Sequence, residues 1–295
     1  MTEALRGHLA MLTFSGLIAG SFALGSLAAD HIAPTALTAV RFVIAAIIVG
    51  VAALATTGIP RSAFAAPWRY LLMGVAMGFY FVMMFDGLKT AAPVSAAAVF
   101  TLTPLISGAA GYVMLRQITT PRMALALAVG AVGALWVIFR ADVSSLLAFE
   151  VGRGEVIYFW GCLAHAVYTP LVRKLNRGEP PVVFSFGALA ASAVVVGIAG
   201  AKDIATTDWM ALPGIVWITL FYVATFASAV TFVLLQYASL RLPSAKVMAY
   251  TYLTPSWVLC WEAALGHSLP PVLILGGIVL TILALTMLLK DEHPA

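Results

Sequence analysis

Charge is what this chain has least of. Only 9% of its 295 residues are Asp, Glu, Lys or Arg, where a water-soluble domain carries about a quarter. That shortage excludes a solvated globular surface, and a 62% hydrophobic composition with mean hydropathy +1.03 puts the chain in lipid. Cysteine is nearly absent too. Cys162 and Cys260 both lie inside apolar runs, so the expectation is two small core residues and neither a disulfide framework nor a metal site. Missing as well are a His-Glu-x-x-His or Gly-x-Ser-x-Gly motif, a Walker sequence, paired carboxylates on one helix and any filter-like loop. These absences argue against a membrane-embedded enzyme, an ATP-driven pump and a channel. No cofactor is expected. Net charge is +4, but the basic residues stand in short gaps between apolar runs. They therefore read as membrane orientation signals and not as a nucleic-acid surface.

The chain offers apolar runs in their place: Leu9–Ala29, Thr35–Ala55, Tyr70–Leu88, Val94–Leu115, Met123–Phe139, Val156–Val172, Val182–Ala199, Leu212–Leu235, Ser244–Leu265 and Val272–Leu289. Each has the length of a helix that crosses a hydrocarbon core of about 30 Å. Backbone amides in lipid must be satisfied within the segment, and nothing alternates with a period of two, so the expectation is ten transmembrane helices. The first run is too long for a signal peptide and reads as a retained helix. With the N-terminus inside, one side collects Arg6, Arg61, Arg69, Arg116, Arg122, Arg173, Lys174, Arg177, Arg241 and Lys290. The other side has Lys89, Arg140, Arg153 and Lys202. That bias predicts both termini in the cytoplasm, in a bacterial inner membrane.

Two runs carry the same triplet near their middles: Leu102-Thr103-Pro104 and Leu253-Thr254-Pro255. Their recurrence suggests two copies of one unit, residues 1–140 and 150–290. Five spans is an odd number, so the second copy starts on the opposite side of the membrane. The predicted fold is all-α: ten transmembrane helices as two inverted five-helix repeats around a central cavity, the plan of many secondary transporters. Arg41-Phe42, Gly87-Leu88-Lys89, the Gly130/Gly133 helix, Gly161 to Arg173 and Ser239-Leu240-Arg241 go with those triplets. Together they resemble the EamA unit of the drug/metabolite transporter superfamily, over nearly the whole chain. The resemblance implies movement of small metabolites without ATP. The chain departs from that pattern at Gln117 and Ser268, where an acidic residue commonly follows the proline. It departs again at Ala19 and His165, where tryptophan is common.

Ionisable side chains inside a span are functional candidates by default. Arg41, Glu262, Asp86 and Asp30 all fall in one outer third and are expected to form an ion pair or gate. In the sharper reading, Arg41 or Glu262 contacts the carboxylate or ammonium of a zwitterionic substrate. Lys246 is expected to snorkel to water, and is otherwise a further gate or ion-pair candidate. His165 lies near the centre of its run, placed to bind substrate or a proton. Trp160 and Tyr168, two turns apart, are expected on one face, and Tyr80, Tyr250 and Gln236 are further candidates to line a cavity. Thr103, Pro104, Thr254 and Pro255 are expected to hinge or line it.

The expected partners are the bilayer and a small-molecule substrate, with no metal. Amino-acid export by alternating access is the leading expectation. Uptake of a vitamin or nucleoside-like metabolite, for example a riboflavin-like one, is the alternative. Proton coupling, and a choice between monomer and dimer, stay open.

Overall fold

The computed structural model describes residues 3–118, 120–148, 151–268 and 270–290. The extreme termini and residue 150, where the second unit was expected to begin, lie outside the described residues. Every regular element among the described residues is helical. In order they are α1 (Glu3–Ala28), α2 (Pro34–Thr56), α3 (Trp68–Gly87), α4 (Pro93–Phe100), α5 (Thr103–Leu115), α6 (Pro121–Ile138), α7 (Val143–Ala148) and α8 (Arg153–Leu175). They continue as α9 (Pro181–Ala199), α10 (Ala201–Thr206), α11 (Gly214–Ala224), α12 (Thr231–Ser239), α13 (Ser244–Ala249), α14 (Thr254–Ala264) and α15 (Ile274–Leu289). Proline opens α2, α4, α5, α6, α9 and α14 within the first two positions. A missing N–H costs nothing there, and the fixed φ is already helical.

Among the described residues, seven helical segments are long and apolar enough to cross a membrane. The outward faces are apolar as well: on α2, Ile47, Val51 and Leu54 are each more than 60% exposed. A continuous apolar stripe of that kind belongs against lipid.

Four of the ten expected spans differ from continuous, full-length apolar helices. The α8 helix has 23 residues but carries Arg153 and Glu155 at one end and Arg173 and Lys174 at the other. The last helix, α15, has 16 residues. The expected ninth span is split into α13, a 3₁₀ turn at Tyr250–Leu253, and α14. The fourth is likewise interrupted, between α4 and α5.

Both interruptions have one cause. A proline within a helix leaves the carbonyl four residues earlier without a donor, so each helix restarts with the proline in its first turn. In the first break the freed Phe100 carbonyl accepts the Thr103 hydroxyl at 2.7 Å. The two breaks meet: Thr103 Oγ1 and Thr251 Oγ1 are 3.3 Å apart. Thr103 has already given its proton to Phe100, so Thr251 is the donor in that contact. Around this crossing α5 packs on α13, and α4 on α14.

Side-chain contacts mark two ends of the bundle. At one, which we call the Arg69 end, α3 meets the loop between α8 and α9, and Glu3 meets Arg241. At the other, the Gly87 end, a Cβ on Gly154 would sit on the Gly87 carbonyl, so α3 and α8 touch backbone to backbone.

Candidate functional site

A cluster of aromatic rings fills the middle of the bundle. The α8 helix presents Tyr158, His165 and Tyr168 within an arc of about 80°, because positions seven apart nearly superpose on a helix and positions three apart differ by about 60°. The His165 ring lies 4.4 Å from Tyr80 on α3 and 5.2 Å from Phe100 on α4, centroid to centroid. Phe14 and Phe22 of α1 close the cluster, against His165 and Tyr158 respectively. Tyr80 and Tyr158 share a hydroxyl–hydroxyl hydrogen bond of 3.0 Å, and the Gln236 amide on α12 donates to the Tyr168 hydroxyl at 2.9 Å. His165, Tyr80, Tyr158, Tyr168 and Gln236 are all at most 1% exposed.

Several polar atoms in this sealed interior have no partner. They include His165 Nδ1, Gln236 Oε1, Thr254 Oγ1, the Tyr252 hydroxyl and one guanidinium nitrogen of Arg41, Nη1. An unsatisfied buried donor or acceptor costs about 1–3 kcal/mol.

Arg41, on α2, is fully buried beside this cluster. Between α11 and α12 the chain winds as a π-helix over Thr225–Val230, whose wider turn loosens the regular carbonyl ladder. The freed groups receive the guanidinium. Nε donates to Ser228 Oγ at 2.9 Å, and Nη2 donates to Ser228 Oγ and to the Ala227 and Val223 carbonyls at 2.7, 3.0 and 3.3 Å. The Phe81 ring lies 3.8 Å from the guanidinium carbon, a cation–π contact.

Polar contacts join the helices at both ends of the bundle. At the Arg69 end, Arg69 forms a buried salt bridge with Glu179 at 2.7 Å, and it also donates to the Leu175 carbonyl at the end of α8. Burial alone would raise the Glu179 carboxyl. The Arg69 side chain and the backbone N–H groups of Arg177 and Glu179 outweigh it and hold the carboxyl below its ordinary range. At the same end Gln117 accepts the Ser244 N–H at 3.1 Å and so caps the start of α13. At the Gly87 end the Ser95 hydroxyl donates to buried Glu155 at 2.7 Å, and Thr35 bonds Asp203.

The sequence profile of the EamA-like transporter family matches residues 5–139 and again residues 152–290. The chain belongs to the EamA-like transporter family. It is therefore a multi-pass membrane protein of a transporter family. A relative described as an uncharacterized transporter, YyaM of Bacillus subtilis (strain 168), is 22% identical over 284 residues, covering 95% of this chain and 92% of that one. A solved structure described only as the crystal structure of a protein superposes with a TM-score of 0.72 at 21% identity. It covers 97% of this chain and 96% of the other, and shares its fold.

Within this EamA fold the candidate residues separate into groups. His165, Tyr80, Tyr168 and Gln236 come together in the ring cluster. Thr103, Pro104, Thr254 and Pro255 are buried at the crossing of the two breaks. Tyr250 is buried nearer the Arg69 end, its hydroxyl 3.1 Å from His8 Nδ1. Trp160 does not join them: it is 57% exposed, because it stands five residues before His165, about 140° around the helix from it. It lines an apolar groove of about 290 Å³ with Val99, Leu135 and Phe159.

The outer ion-pair expectation is corrected. Asp86 pairs with Lys89 at 3.2 Å and Glu262 with His267 at 3.1 Å, while Arg41 has serine, carbonyls and rings as neighbours. Lys246 is only 7% exposed and so does not snorkel to water. Cys162 is buried as expected, but Cys260 is exposed. Sequence reasoning missed Tyr158, Phe100 and Ser228. Tyr158 was within reach, seven residues before His165; Ser228 needed the π-helix to be known.

Proposed function

We propose that this EamA-family protein is a secondary active transporter that moves small metabolites across a bacterial inner membrane by alternating access, with amino-acid export as its activity. The observation that carries the proposal is the sealed ring cluster with its unsatisfied polar atoms. Such a cluster suits a small molecule with an apolar body and polar ends, held while both ends of the bundle are shut. The reading takes the ten helical segments as crossings, arranged as two inverted units of five within 1–140 and 150–290. The Thr103–Thr251 contact lies where the two broken helices cross, and supports it. Two closures of unlike chemistry, Arg69–Glu179 at one end and Ser95–Glu155 at the other, are then the alternating gates. Both termini lie on the cytoplasmic side with the Arg69 end, in keeping with the excess of basic residues there.

The test is solute flux in proteoliposomes that contain only this protein. Labelled amino acids, then vitamins and nucleosides, are offered with and without an imposed pH gradient. Saturable amino-acid flux is the expected result. Flux of vitamins or nucleosides alone would replace amino-acid export with the uptake reading. No flux of any solute would overturn transport.

A further inference from the structure

The Arg41 niche has no counter-charge. Among the described residues its guanidinium forms no salt bridge with any carboxylate, yet it is 0% exposed. A bare cation at such a depth is costly even with carbonyl neighbours. Ser228, Val223 and Ala227 occupy Nε and Nη2. Rings occupy the faces, with Phe81 at 3.8 Å, Phe85 at 5.5 Å and Phe42 at 5.7 Å. Nη1 alone has nothing to donate to. From there a chain of rings leads into the centre: Arg41 lies on Phe81, Phe81 is 4.5 Å from Tyr80, and Tyr80 is 4.4 Å from His165.

We propose that Arg41 Nη1 is an anion-binding point for the transported molecule, and that this molecule carries a carboxylate at one end and an aromatic or apolar body at the other. The carboxylate seats on Nη1 and supplies the missing negative charge, while the body lies among Tyr80, Phe100 and His165. A purely cationic amine would meet the buried guanidinium as a like charge and be rejected. The inference rests on the transport reading and narrows its substrate class.

The experiment compares three probes that differ only in their charged groups: L-tryptophan, tryptamine, which lacks the carboxylate, and indole-3-propionate, which lacks the ammonium. Each is tested for flux in proteoliposomes and for its effect on the melting temperature of the detergent-purified protein. Tryptophan and indole-3-propionate should be carried, or raise the melting temperature, and tryptamine should do neither. In Arg41→Met the half-saturating concentration for the carboxylates should rise about tenfold or more, as expected for a lost charged hydrogen bond. If that variant fails to fold, Arg41→Lys keeps the charge without the planar fork and should show an intermediate effect. Tryptamine handled as well as tryptophan, or carboxylate affinity unchanged in the variants, would overturn the Arg41 inference and leave transport standing. Flux of nucleosides or vitamins with no response to any carboxylate would do the same. No flux of any solute and no thermal response to any probe would remove both.

Discussion

Replacing Glu179 by Gln removes the charge from the closure at the Arg69 end while keeping the shape of the side chain. Arg69 and Glu179 are 1% and 7% exposed at the side chain, so neither charge has water to fall back on. Removing one member of a buried pair costs about 3–5 kcal/mol, because the other stays behind uncompensated. Arg69 still donates to the Leu175 and Ala66 carbonyls, so the expected loss for Glu179→Gln lies near the lower end, about 3 kcal/mol. Such a loss should lower the melting midpoint on the order of 5 °C.

The Glu179 carboxyl is held below its ordinary value of 4.5 in the folded protein. The unfolded chain therefore takes up a proton first as pH falls, and the stabilisation is lost through the range from 4.5 down to the folded value. Melting curves of the purified protein and of Glu179→Gln should differ fully at pH 7 and still differ near pH 5, then converge as the pH drops below that range. A variant as stable as the parent at pH 7, or a gap that does not close on acidification, would refute the reasoning.

Other outcomes follow from single contacts. Thr103→Val leaves the Phe100 carbonyl without its donor and should destabilise by about 1–2 kcal/mol. Thr254→Val removes a hydroxyl that has no partner and should cost close to nothing; equal losses in the two melting curves would count against this account of the helix breaks. Gly154→Ala puts a methyl against the Gly87 carbonyl and should cost about 1–3 kcal/mol, seen as a lower melting midpoint and less monodisperse protein. His165→Ala should depress flux while the protein stays folded and monodisperse, and unchanged flux would take His165 out of the site.

The helical runs and the two proline breaks were legible because each rests on local chemistry: run length against bilayer thickness, and a proline that must restart a helix. The position of His165 was legible for the same reason, from its place along one helix. What failed depended on rotation about a helix axis or on partners far away in the chain. Trp160 and Tyr168 look like one face at two turns, but at 3.6 residues per turn Trp160 stands about 140° around the helix from His165. Arg41 looks like half of an ion pair with Glu262 or Asp86. Its actual partners are 182 to 187 residues away, at the end of α11 and on the π-helix after it, which no apolar pattern announces. Glu179, in a short loop, carried no sign that an arginine 110 residues earlier would bury it. Gln117 departs from the acidic pattern and still accepts a backbone N–H, a task its amide oxygen performs as well as a carboxylate would.

The central claim is that the ring cluster opens to water at each end in turn, and Cys162 reports on it directly. Its side chain is 0% exposed, one turn from Tyr158 and His165 on α8. With Cys260 changed to alanine, reaction of Cys162 with a membrane-impermeant thiol reagent can be followed from either side of oriented proteoliposomes while substrate is being carried. Alternating access predicts labelling from both sides, slowed when saturating substrate fills the chamber. Labelling from one side only, or from neither while flux continues, would contradict it.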